Sequence, residues 1–207
     1  QGYHKLAKSQ LLQSAHLRGK RTFPTNDFRN TTFMKHQVGG HPMLSYGSDH
    51  VLKLMKDDDR GFREVFFYEA LRSVIDKTHI RVLVNDVRIK RNARLLRALA
   101  PFTPDYYGIT SDVSSMDNSV HPTSIILSNL TAGYHKPCVL DIKMGQNTYE
   151  PDATPAKKES QENKYPEQRI FGFRVVGMNV YDPSHVESNQ DGFRTFDKNF
   201  GRQLQSS

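Results

Sequence analysis

The sequence has one cysteine, no tryptophan and no apolar run near the roughly 18 residues that a membrane-spanning helix requires. A lone thiol, Cys138, excludes an internal disulfide and leads to the expectation of a reducing compartment, nucleus or cytoplasm. Flanked by Pro137 and Val139, it reads as a small buried hydrophobe rather than a nucleophile. No signal-peptide pattern and no internal repeat occur. Two phosphate-handling signatures are also missing. There is no Gly-x-x-x-x-Gly-Lys-Ser/Thr loop and no His-Arg-Asp or Asp-Phe-Gly set, which argues against P-loop enzymes and protein kinases. Acidic residues are in deficit, 22 against 29 lysines and arginines, and the net charge of +7 suits an anionic partner: a phosphorylated metabolite, a nucleic acid or an acidic membrane surface. At 207 residues, 36% hydrophobic and 25% charged, the chain can build one mid-sized domain or two small lobes with a real core. It begins with Gln1 rather than Met, so the true amino terminus is expected to lie outside it.

The richest stretch is Pro137-Cys138-Val139-Leu140-Asp141-Ile142-Lys143-Met144-Gly145. Read as a strand, it places Asp141 and Lys143 on one face, while Leu140, Ile142 and Met144 point into packing. One strand face then offers a carboxylate and an ammonium to a single ligand. The spacing alone fits a structural ion pair equally well.

Along the rest of the chain, residues 1–32 form a polar, basic segment in which Arg18, Lys20 and Arg21 read as a solvated tail. Strands are expected over Phe33–Val38, Pro42–Tyr46 and His50–Lys56, with a turn at Gly39-Gly40. Apolar residues at 62, 65, 66, 70 and 74 have helical spacing after the Asp57–Gly61 turn. Arg88, Arg91, Arg94 and Arg97 recur every third residue in a basic helix that Pro101 stops; the reading is a solvated face, with nucleic acid, phosphoinositide or nuclear import as the functional alternative. Residues 111–122 read as a loop. Strands are expected over Ser124–Leu130, crossing between lobes, and over Gly172–Tyr181, pairing with the Pro137 strand. Thr154-Pro155 opens a helix reaching to Tyr165, because the hydroxyl caps free backbone donors and proline suits the first turn. Its Lys157, Gln161 and Lys164 share one face. That helix has almost no apolar side, so burial alone does not order it; a solvated helix and an anion-gripping wall are both open.

The Pro-x-x-x-Asp-x-Lys-x-Gly pattern resembles the signature of the inositol polyphosphate kinase family. The resemblance continues through Gln146–Asp152 and Gly172–Tyr181. Upstream it takes in His36–His41, Val51-Leu52-Lys53 and Arg63–Tyr68, covering residues 33 to 204. It is closest to the multikinase branch, with features of the hexakisphosphate kinases around His36–His41. The resemblance implies an α+β, two-lobed fold distantly similar to protein kinases. An amino-terminal lobe would span 33–127, and 128–207 would hold the crossover and the start of the second lobe. It implies ATP and Mg2+ as cofactors, an inositol polyphosphate as acceptor with a phosphoinositide as a further ligand, no specific nucleic acid, and a monomer. Lys53 by spacing alone is a surface strand residue; the resemblance makes it a phosphate ligand supported by Glu64. It further implies main-chain nucleotide contacts at Ser128 and Leu130 and a Gly39-Gly40 turn over the nucleotide. Asp141 becomes the group that orients or deprotonates the attacking hydroxyl and also faces the nucleotide. Lys143, Lys157, Gln161 and Lys164 become acceptor contacts.

Two later elements of the family, a Ser-Ser-Leu-Leu type strand and an Ile-Asp-Phe motif whose aspartate binds magnesium, do not occur before Ser207. The expectation is therefore a truncated chain with no metal ligand of its own. The alternative to a kinase is a catalytically inactive binder of inositol phosphates or phosphoinositides.

Overall fold

Short apolar-rich segments separated by glycine turns fold into β1 (Thr31–Phe33), β2 (Met43–Tyr46) and β3 (His50–Leu54). The computed structural model describes residues 12, 13, 15, 31–56, 58–75, 87–110, 123–150, 153–186 and 191–204. The Arg18–Arg21 cluster, residues 76–86 and the 111–122 loop lie outside these. The chain divides into two units, one holding residues up to Met34 and His41–Ala132, the other Lys35–Gly40 and Gly133–Ser207.

In the first unit β1, β2 and β3 join β5 (Ser124–Ser128) and β4 (Tyr106–Thr110) in an antiparallel sheet of order β1-β2-β3-β5-β4. Ser124–Leu130 was expected to cross between lobes. Instead β5 lies inside the sheet, paired to β3 and β4, and Asn129 and Leu130 follow it outside the strand. Helix α1 (Asp59–Ile75) starts where Asp58 accepts hydrogen bonds from the amides of Arg60 (2.9 Å) and Gly61 (3.3 Å). Its Val65 packs with Val51, Ile109, Ile125 and Leu127 on one sheet face. On the other face Leu52 and Ile126 gather Leu44, Tyr46 and Tyr107. Complete burial of side chains such as Leu52 and Ile125 contributes roughly 1.5–3 kcal/mol each. The remaining helical positions, Phe62, Phe66, Ala70 and Val74, meet Ile89 and Leu96 of α2 (Val87–Leu99). Arg91, Arg94 and Arg97 are exposed, as a solvated face requires, and Arg97 Nε donates to the Val74 carbonyl.

The second unit is a three-stranded antiparallel sheet, β6 (Val139–Met144), β7 (Phe173–Tyr181) and β8 (Phe193–Phe196), in that order. Helices α3 (Pro155–Glu162), α4 (Gln168–Phe171) and α5 (Lys198–Gln203) accompany it. Helix α3 opens at Thr154 as its sequence predicts, the hydroxyl accepting from the Lys157 amide at 3.3 Å, but it closes at Glu162, short of Tyr165. Two burial expectations fail. Leu140, Ile142 and Met144 are exposed, Met144 by 73%, and Cys138 is exposed just ahead of β6, its sulfur accepting from the Tyr181 amide. Both sit on or beside β6, whose Leu140, Ile142 and Met144 face is left exposed by the described residues.

Phe33–Val38 is not one strand. After Phe33 the backbone turns, His36 adopts φ 63°, and Lys35–Gly40 belongs to the second unit. There it is clasped to the sheet. Asn179, buried in β7, donates to His36 Nδ1 at 3.0 Å and accepts from the Thr195 hydroxyl at 3.1 Å. The His36 ring lies 4.4 Å from that of Phe193.

Candidate functional site

Each unit presents one cluster of chemically capable side chains. In the first, Val51 and Lys53 share a strand face by alternation, and Val51 is packed under α1. Lys53 therefore emerges beside the helix, and its Nζ meets Glu64 Oε1 at 2.5 Å, both side chains partly buried. The pair predicted from sequence is formed. Tyr68, one turn further along α1, stacks on Tyr106 at 5.3 Å, and burial, then the Glu64 charge, push its hydroxyl up to about 12. At the end of β5 the Ser128 amide donates to the Asp105 carbonyl and its hydroxyl accepts from the Asp105 amide, both at 2.9 Å. Ser128 thus has its own N–H engaged. Leu130 is exposed one residue beyond Asn129, whose side chain ties Ser48 and Thr131 together.

In the second unit, register sets the geometry. Asp141 pairs with Gly177 and Lys143 with Arg174, with a bulge in β7 between the two pairs. The Lys35–Gly40 clasp lies against the first pair: a Cβ on Gly39 would fall 1.9 Å from Asp141 Oδ2, and one on Gly177 would fall 2.1 Å from the Val38 carbonyl oxygen. Both glycines are needed for that close approach.

Around Lys143 the charge is strongly positive. The Lys164 ammonium is pushed below its ordinary range first by burial and then by Arg174, Lys157, Lys143 and Arg202. The structure therefore gathers Lys143, Lys157 and Lys164 with Arg174 and Arg202, the last two not singled out in the sequence. None of the five forms an ion pair among the described residues. The sign of the linkage follows. Protonated Lys164 costs the fold stability below its lowered value, and the cost vanishes as pH rises through that value toward 10.5.

Gln161 lines a hollow of about 210 Å3 with Gln146, Asn147, Thr148, Tyr149 and Tyr165. Its floor is fixed by Glu162, which accepts from the Tyr149 hydroxyl at 2.8 Å and pairs with Arg169 at 2.8 Å. Those two contacts, Tyr149 first, hold the Glu162 carboxyl below the usual range. Glu162 is thereby committed to its neighbours. Loss of the helix cap by Thr154→Ala is expected to lower stability by about 1 kcal/mol, measured by urea unfolding.

Residues 124–207 match the family model described as inositol polyphosphate kinase. That segment contains Asp141 and all five cations. The chain is 32% identical to human inositol polyphosphate multikinase over 178 residues, 83% of this chain and 37% of that protein. It is 30% identical to the Arabidopsis thaliana multikinase alpha over 165 residues, 75% of this chain and 49% of the relative. To Saccharomyces cerevisiae inositol hexakisphosphate kinase 1 it is 34% identical over 110 residues, covering 47% of this chain and 10% of that one. The chain thus spans less than half the length of these curated relatives. The solved structure of inositol phosphate multikinase Ipk2 from S. cerevisiae, in complex with ADP and Mn2+, superposes with a TM-score of 0.51 at 20% identity, covering 76% of this chain and 53% of that one. The α+β kinase-family fold expected from the resemblance is the fold observed.

Among the described residues no helix is long and apolar enough to cross a membrane. Nor do they hold a group of three or more His, Cys, Asp or Glu residues that would bind a metal ion.

Proposed function

We propose that this chain is the nucleotide- and acceptor-binding part of a kinase that transfers the γ-phosphate of ATP to a hydroxyl or phosphate of an inositol polyphosphate. The observation that carries it is the convergence of Lys143, Lys157 and Lys164, unpaired, around the strand face that also bears Asp141. Unpaired clustered cations destabilise a fold on their own and suit a ligand carrying several phosphates.

In this reading Lys53, held by Glu64, grips the nucleotide phosphates as a compact point charge. The backbone after β5, at Ser128 and Leu130, offers the edge for the base. Asp141 orients the acceptor hydroxyl and takes its proton as the oxygen attacks the γ-phosphorus, while the bond to the β-bridging oxygen breaks and ADP departs. Lys143 neutralises charge at the acceptor, and α3 with Gln161 fixes the ring. Mg2+ is the metal expected with ATP, where it would offset the charge of the phosphates.

Lys53→Met is expected to raise the KM for ATP about tenfold or more and to leave acceptor affinity unchanged; Glu64→Gln should follow in the same direction with a smaller effect. The decisive assay incubates the full-length protein with ATP, magnesium and a panel of inositol phosphates and resolves products by anion-exchange chromatography. A phosphorylated inositol product supports the reading, and none from any member of the panel overturns it.

A further inference from the structure

Arg174 stands directly opposite Lys143 in the β6–β7 ladder. Like charges in that position repel, and the interior offers Arg174 no relief: its Nη1 is buried without a hydrogen-bond partner. Arg202 reaches the same neighbourhood by a separate device. Helix α5 sits on β7 with backbone in contact, since a Cβ on Gly201 would fall 2.2 Å from the Val175 carbonyl oxygen, so the residue after Gly201 is delivered next to the residue before Val175. A third tether brings Lys164. The buried Tyr165 hydroxyl donates to the Leu204 carbonyl at 2.6 Å, fastening the residue beside Lys164 to the chain two residues past Arg202.

The ladder, the Gly201 seat and the Tyr165 hydrogen bond thus converge on Lys143, Lys164, Arg174 and Arg202, none of which has an acidic partner among the described residues. Packing gives no reason for this. A guanidinium with an unused buried donor is suited to the tetrahedral oxygens of a phosphate, which accept from two forks at once.

We propose that Arg174 and Arg202 together bind one phosphate of the acceptor, adding a paired guanidinium contact beside Lys143 and Lys164. This rests on the acceptor reading given above. The chemistry is shared by a free inositol polyphosphate and by a phosphoinositide headgroup.

The test is calorimetric titration of the full-length protein with inositol tetrakisphosphate. Arg174→Met and Arg202→Gln should each weaken binding about tenfold, and the double variant should lose little more than the worse single one, because both contacts serve one phosphate. Arg174→Lys should recover only part of the loss. Circular dichroism and thermal melting should show Arg174→Met folded and no less stable than wild type, and exposed Arg202 gives a second variant with no core role. If both single variants bind within twofold of wild type while Lys164→Gln is impaired, the inference fails and the acceptor reading stands. If wild type does not bind the probe, both fail. Vesicles of phosphatidylcholine with phosphatidylinositol bisphosphate provide the second arm. Arg174-dependent sedimentation extends the site to the headgroup, and Arg174-dependent binding of the soluble probe alone assigns it to the free ligand.

Discussion

Asp141→Asn in the full-length protein is expected to lower phosphoryl transfer by about 10²- to 10⁴-fold, the range associated with loss of a positioned general base, while leaving the protein folded. Asparagine keeps the volume that lies against Gly39, so the clasp is not disturbed. It removes the proton acceptor and one negative charge beside Lys143. Acceptor binding should therefore hold or tighten slightly, since one negative charge leaves the strand face that also bears Lys143. The measurement is a split: product formation by anion-exchange chromatography against acceptor affinity by calorimetry. Undiminished turnover would remove Asp141 from the chemistry. Parallel loss of rate and binding would make it a structural partner of the cations. Lys143→Met should act differently, weakening acceptor binding and rate together, because neutralisation of charge is needed both before and during transfer.

The parts legible in the sequence were those fixed by local pattern. Helix α1 follows from its apolar spacing and the Asp58 cap, α3 from Thr154-Pro155, and the β6–β7 pairing from two complementary strand patterns. The Lys53–Glu64 pair was legible through the family resemblance, not through spacing. Arg174 was not legible because its role depends on register: a bulge at Val176 shifts the pairing so that Lys143, not a neighbour, faces it. Arg202 lies in a short helix whose seat is a glycine contact, with no periodic signal. The exposure of Leu140, Ile142 and Met144 defeated the burial rule for the same reason, since apolarity shows that a face can be covered but not which segment covers it.

The Lys35–Gly40 clasp shows the same dependence on tertiary context, and it yields the second large effect. Gly177→Ala is expected to reduce both stability and transfer. A methyl at that position would meet the Val38 carbonyl oxygen at 2.1 Å and the Val38 Cβ at 3.3 Å, and backbone on the far side cannot swing away as a long side chain would. Either β7 bends or the clasp lifts, and overpacking of this kind costs typically about 1–3 kcal/mol. Lifting the clasp frees Asp141 from the segment lying against it and strains the bond between His36 and Asn179. Gly39→Ala approaches the same contact from the other side, but there the nearest atom is a carboxylate oxygen that can rotate, so its stability cost should be smaller and its cost in rate comparable. Urea unfolding should rank Gly177→Ala below Gly39→Ala, and wild type above both. A Gly177→Ala protein with unchanged stability and rate would mean that the clasp does not set the position of the carboxylate.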